Sequence, residues 1–264
     1  SANGFMTPSV FVPIIIGVLA IGLFVFRQLK LDEPLMDLRV FKFPMFRHAI
    51  VLFIIIIMVM FSSELILPIF MQGPMGLTAA AAGLLLLPGS LLNGAMSPFM
   101  GSLFDKVGPK VMMIPATIVL AATMFMFSNL SADTPEWVII VGFMLIMLSV
   151  SATMMPAQTN GLNQLPKHLY PHGTAVVSTL QPLAGAIGLS LFIGMLNSKQ
   201  ASYLENAANP GSEETMTAAM VAGVEFVYFV IFIIALITVV MSFFVYRAKP
   251  LEDLVPAPIK KDKN

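Results

Sequence analysis

Hydrophobic residues run along this chain in long unbroken blocks, separated by short polar stretches. A block of about twenty apolar residues is the length that crosses a bilayer as a helix. Seven such blocks are present, at 10–29, 48–71, 77–103, 109–130, 136–163, 172–197 and 221–246. None shows the ten-residue alternation of apolar and polar positions that a transmembrane barrel requires. Lipid offers no partner to free backbone groups, so helices and closed barrels are the only spanning structures. The pattern therefore predicts an all-α membrane protein with seven transmembrane helices.

Composition narrows the picture further. Hydrophobic residues make up 58% of the chain and charged residues only 11%, against about 25% charged in soluble domains. A water-soluble fold could not cover its surface with so few charges. There is no cysteine, so disulfides, thiolate metal sites and Cys nucleophiles are excluded. The three histidines, His48, His168 and His172, each sit at the edge of an apolar block, and no metal centre or cofactor is expected. The zero net charge gives no argument for nucleic acid. The first residue is Ser and only a short stretch precedes the first block, which reads as a chain beginning inside a longer protein.

Charge placement predicts orientation. If the seven blocks alternate in direction, one side receives Arg27, Lys30, Arg39, Lys42, Arg47, Lys106, Lys110, Lys167, Arg247, Lys249, Lys260, Lys261 and Lys263, and the other receives Lys199 alone. The Lys/Arg-rich side is cytoplasmic by the positive-inside rule. The N-terminus is then outside, the C-terminus inside, and 198–220 forms the longest outside loop. The polar stretch 31–47 mixes both charge signs with Leu and Phe, and reads as an amphipathic linker on the cytoplasmic membrane surface.

A few polar residues interrupt the apolar blocks. Glu64 follows ten apolar residues and the pair Ser62-Ser63. An ionisable group inside a span is costly and marks a wet cavity, an ion path or a ligand contact. Glu64 is the candidate for proton exchange or cation binding; the plainer reading is a hydrated carboxylate near the outer interface. Glu225, near the start of the last block, favours that hydrated reading. Asn93, Gln158 and Gln181 are candidates for lining a substrate cavity or for bonding helix to helix. Asn160, Asn163 and Gln164 share one helical face at the inner end of the fifth block, where helix–helix bonding is the simpler role.

The stretch GSLFDKVGPK, 101–110, packs charge between two apolar blocks. Gly101 permits close helix approach, Gly108 a tight turn, and Pro109 the first position of a helix. Asp105 is expected to cap that next helix, while Lys106 and Lys110 anchor the turn in the cytoplasm. The pattern resembles the cytoplasmic loop signature of the major facilitator superfamily, except that Pro109 stands where a basic residue is usual. LDEPLMDLRVFKFPMFR and MMPAQTNGLNQLPKHLYPHGTAVVSTLQPLAGAIG are similar to segments of fourteen-span drug:proton antiporters of the lincomycin-resistance branch. The resemblance covers most of 31–195.

That resemblance implies the C-terminal half of a bacterial proton-coupled multidrug exporter. Residues 1–30 would be an extra transmembrane helix, 31–47 the linker, 48–247 a six-helix bundle of the major facilitator fold and 248–264 a cytoplasmic tail. The implied partners are the bilayer, small lipophilic or cationic drugs and a missing N-terminal half; the coupling ion would be a proton, in the bacterial cytoplasmic membrane. Two other readings stay open. A seven-helix receptor fits the helix count but lacks an extracellular disulfide and an acidic-Arg-aromatic triplet after the third block. A lipid-handling transporter of the same fold would need basic residues inside the spans, and none is there. No catalytic triad or phosphate-binding Gly loop supports an enzyme.

Overall fold

The computed structural model describes residues 8–30 and 36–248. Its helices are α1 (Pro8–Lys30), α2 (Pro44–Gln72), α3 (Ala79–Val107), α4 (Pro109–Phe127), α5 (Glu136–Asn163), α6 (Tyr170–Glu205) and α7 (Glu213–Phe243). Two 3-10 turns, Leu38–Lys42 and Lys167–Leu169, precede α2 and α6. No strand occurs among the described residues. Six helices, α2 to α7, are long and apolar enough to cross a membrane. The first block is helical as α1, and near its end Gln28 Oε1 accepts from the Met36 amide at 3.3 Å.

Two expectations need correction. The outside loop at 198–220 shrinks to 206–212, because α6 runs on to Glu205 and α7 begins at Glu213. The reason lies in local signals rather than hydropathy. Ser212 caps α7 by accepting from the Thr215 amide at 3.2 Å, and Glu213 and Glu214 suit the positive end of the helix dipole. The linker also ends early. Pro44 at the first turn starts α2, so 44–47 belong to the helix; the described part of the rest holds the 3-10 turn, and 31–35 lie outside the described residues.

The bundle has an internal inverted relation. The extensive helix pairs are α3 with α5, α4 with α7, α2 with α6, α4 with α5, α2 with α5 and α6 with α7. Exchanging α2–α3–α4 for α5–α6–α7 turns the pair α2–α6 into α5–α3, and α2–α7 into α5–α4. The pairs α4–α7 and α2–α5 map onto themselves. Three helices reverse the chain direction, so the two triplets are related by inversion, as in many transporters. Two pairs depart from the symmetry: α4 and α5 pack more extensively than α2 and α7, and α6 and α7 pack closely, whereas α3 and α4 barely touch. The C-terminal extension of α6 and the first turns of α7 come together where Gly223 faces the Leu196 carbonyl.

The main core joins α2, α4, α5 and α7 through Ile56, Phe70, Leu120, Phe127, Ile146 and Tyr228. Phe127 and Tyr228 meet edge to face at 5.2 Å. Helix α3 is different. It buries only Ala82, Leu86, Gly89, Met100 and Phe104, and leaves Leu84, Leu87, Leu91 and Phe99 exposed. An apolar helix with one narrow buried stripe presents the rest to lipid or to another protein surface.

Candidate functional site

The candidate residues fall on two levels. Gly173 of α6 lies near Phe46 of α2 and Gly188 near Met58, so α2 and α6 run parallel. Glu64 lies six residues from Met58 toward the end of α2, and Gln181 seven residues from Gly188 in the other direction. At about 1.5 Å per residue they are about 20 Å apart along the bundle. Helix α5 is fixed by Gly161, which packs on Ala49. Gln158 borders a crevice with Ala49, Ile50, Phe53 and Val177 that is too narrow for water. Gln158 and Gln181 therefore share the level near the start of α2.

Glu64 and Asn93 share the other level. Asn93 Nδ2 donates to the Met147 carbonyl at 3.0 Å, and Met147 lies fourteen residues from Gly161, about 21 Å toward the start of α5. Glu225 joins this level, since it is two residues from Gly223 and Gly223 faces Leu196. Glu64 is exposed on the surface of α2 and Glu225 is half-buried. Glu64, Asn93, Gln158 and Gln181 thus make no single cluster, and Asn93 spends one amide proton on a helix–helix bond.

Several buried hydroxyls lie in this half of the bundle. Ser62 and Ser63 on α2, Ser149 and Thr153 on α5 and Tyr228 on α7 are fully or almost fully buried. Their oxygens have no hydrogen-bond partner among the described residues. Tyr228 and Ser63 are neighbours without good bonding geometry. Other buried hydroxyls behave differently: Thr117 donates to the Met113 carbonyl, Thr238 to Ala235 and Ser242 to Val239. An orphaned buried polar group costs about 1–3 kcal/mol. The sequence offered a signal in Ser62-Ser63 beside the acid and in the i, i+4 spacing of Ser149 and Thr153, but tyrosine among aliphatics in α7 gave none.

The signature turn is tighter than the sequence suggested. Helix α3 continues through Val107 and α4 begins at Pro109, leaving Gly108 alone between them at φ 80° and ψ 171°. A residue with a Cβ would be strained there. Gly101 faces Met155 across the α3–α5 contact. Lys106 and Lys110 are exposed. The expected cap by Asp105 is not formed: α4 has no side-chain cap. Asp105 lies in the last turn of α3, where side chains lean back toward their own N-terminus, and Pro109 has no N–H to satisfy. The Asp105 carbonyl instead accepts from Arg247 Nη2 at 3.0 Å.

The same end of the bundle holds a polar network. Gln164 Oε1 accepts from the Met45 and Phe46 amides at 2.6 and 3.2 Å, capping α2. Gln164 Nε2 donates to the Tyr246 hydroxyl at 3.3 Å. Asn160, 1% exposed, donates to the Tyr246 carbonyl at 2.8 Å and accepts from the Ala248 amide at 2.9 Å. Asn160 thus ties α5 to the segment that follows α7, and Gln164 caps α2. Outside the spans, Asp37 takes the Arg39 amide at 2.9 Å and pairs with its guanidinium at 2.8 Å. The Arg39 hydrogen bond holds the Asp37 carboxyl below its ordinary range.

Comparison with known proteins fits this architecture. A family model described as Major Facilitator Superfamily matches residues 4–189. The chain belongs to the major facilitator superfamily. Among relatives, a lincomycin resistance protein of Listeria innocua is 44% identical over 247 residues, covering 94% of this chain and 52% of its own length. One from Bacillus subtilis is 42% identical over 248 residues with the same coverage. A multidrug resistance protein B homolog of Mycobacterium tuberculosis is 24% identical over 190 residues, 71% of this chain and 35% of that protein. The chain spans about half the length of the curated relatives it matches most strongly. It is a multi-pass membrane protein of a bacterial transporter family, not an enzyme.

Proposed function

We propose that this major facilitator chain forms the C-terminal half of a fourteen-span, proton-coupled multidrug exporter, with α1 as an additional span. The intact protein alternates between inward- and outward-open states around a cavity shared by two six-helix bundles. Inward proton flow drives lipophilic or cationic compounds outward. The observation that carries the reading is Glu64: an exposed carboxylate, the one acidic residue of α2, in a bundle with the inverted-triplet packing of transporters. Such a group in a wet cavity exchanges protons or meets cations. Glu64 is the coupling residue, Gln158 and Gln181 are ligand contacts at the other level, and Asn93 mainly holds α3 to α5. The loop Gly101, Asp105, Lys106, Gly108 and Lys110 faces the cytoplasm and works against helices of the other half.

The test is efflux in cells expressing the full-length protein, with a fluorescent cationic dye and with lincomycin, the compound in the relatives' names. Glu64→Gln is expected to abolish the dependence of efflux on the proton gradient. Unchanged pH-dependent efflux removes Glu64 from the mechanism. The chain alone in proteoliposomes is expected to transport nothing, and dye efflux by it would overturn the half-transporter reading. Because the chain has no cysteine, single cysteines at 106 and 205 report topology directly. Labelling from outside is expected at 205 and not at 106.

A further inference from the structure

A groove of about 410 Å³ opens between the start of α2 and the end of α7. Arg47, His48 and Val51 line it from α2, and Met241, Phe244 and Tyr246 from the end of α7 and just beyond. No acidic residue lines it. Val51, Phe244 and Tyr246 are 42%, 69% and 51% exposed, so the groove opens at the rim of the bundle. The first α2 amides are already taken by Gln164, so any anion here is met by side chains and not by the helix terminus. His48 Nε2 donates to the Met241 carbonyl at 2.8 Å, since a carbonyl can only accept. That bond fixes the ring between the two helices. Lys42, Lys106 and Lys110 are exposed at the same end, as is Asp105.

A lining that mixes a guanidinium, an imidazole and a phenol with Val51, Met241 and Phe244 matches a single amphipathic ligand with a negative head. We propose that this groove holds an anionic phospholipid, its phosphate on Arg47 and the Tyr246 hydroxyl and its acyl chain along Val51, Met241 and Phe244. Interfacial basic pockets between transmembrane helices take such headgroups. The lipid bridges α2 and α7. The inference rests on α2 crossing a bilayer and not on what the protein exports, so a transport-dead variant that still selects lipid leaves it standing.

The experiment is native mass spectrometry of the full-length protein with equal amounts of phosphatidylglycerol and phosphatidylcholine. Phosphatidylglycerol is expected to be retained preferentially. Arg47→Gln lowers that preference about fivefold, the effect of one basic group near a headgroup, while Arg47→Lys keeps most of it. His48→Gln retains a donor for the Met241 carbonyl and keeps the groove folded, so it serves as a second variant. Lys110→Gln, basic at the same end but outside the groove, changes nothing. Equal retention of both lipids, or equal loss in Lys110→Gln and Arg47→Gln, overturns the proposal. Displacement of the lipid by millimolar glycerol 1-phosphate also overturns it, because the groove would then be a site for a soluble phosphate.

Discussion

Replacing Gly188 with Ala tests whether α2 and α6 touch as closely as the geometry states. A methyl group at 188 would lie 2.7 Å from Met58 Cβ and 2.8 Å from Met58 Cα. Non-bonded carbons rest at about 3.5–4.0 Å, and a Cα cannot swing aside as a side-chain tip can. The two helices must therefore part by about 1 Å. Overpacking of this kind costs about 1–3 kcal/mol. The better helix propensity of Ala returns about 0.5–1 kcal/mol, leaving a net loss centred on about 1 kcal/mol and no more than about 2.5 kcal/mol. At about 2–4 °C per kcal/mol for a chain of this size, the melting temperature falls by a few degrees. The assay is the fraction of monodisperse full-length protein surviving stepwise heating in detergent. Two controls set the scale. At Gly185 a methyl meets only the Phe61 ring, at 3.1 to 3.3 Å, and at Gly94 it meets nothing within 4 Å. The expected order of stability is Gly94→Ala, then Gly185→Ala, then Gly188→Ala. A Gly188→Ala protein that melts as high as Gly94→Ala refutes the close packing.

Three further outcomes follow from the network at the Lys/Arg-rich end. Gln164→Leu removes the cap on α2 and lowers stability by about 1 kcal/mol, whereas Gln164→Glu keeps two acceptors and suits the dipole; melting curves in which both variants fall equally would rule out the cap. Asn160→Ala loses its bonds to Tyr246 and Ala248, each worth about 1 kcal/mol, so trypsin cleavage after Arg247 is expected to speed up about tenfold or more in a timed digest. Asp37 has a carboxyl lowered by Arg39, so its contribution is full above the unfolded value of about 3.9 and is lost as pH falls through the lowered folded value. The melting temperatures of wild type and Asp37→Asn are expected to differ at pH 7 and to converge below the ordinary carboxylate range; a constant gap across pH would exclude the pairing as its source.

Most of the helical architecture was legible because hydropathy fixes spans well: the fifth block, 136–163, coincides with α5. What failed did so where hydropathy is silent. Polar residues 198–205 and 213–220 read as loop by composition, yet Ser212 with its two following acids is a helix start written in capping chemistry. The turn at Gly108 was legible from glycine and proline, since both constrain the backbone directly. The role of Asp105 was not, because one added helical turn in α3 moves its side chain away from α4. The inverted relation of the triplets was invisible as well. It resides in which helices touch, and residues such as Gly161, Gly173 and Gly188 mark the contacts without identifying the partner helix.

The candidate site was legible residue by residue but not as a site, and the two-level arrangement changes what those residues can do together. On the proposed assignment, Glu64 handles the proton at one level while Gln158 and Gln181 meet the ligand about 18–20 Å away. Proton and drug then do not compete for one carboxylate by direct contact. Coupling must pass through a solid element that both levels share, and α2 carries Glu64 at one end and packs beside Gln158 at the other. Between them α2 is pressed against Gly188 of α6, the place where a small rotation moves both ends in opposite senses. The buried hydroxyls of Ser62, Ser63 and Tyr228 lie on the Glu64 side of that contact. Their unspent hydrogen-bonding capacity makes that side the one with an alternative arrangement to gain from, whereas the opposite end is held by Gln164, Asn160 and Asp37 with their bonds already made.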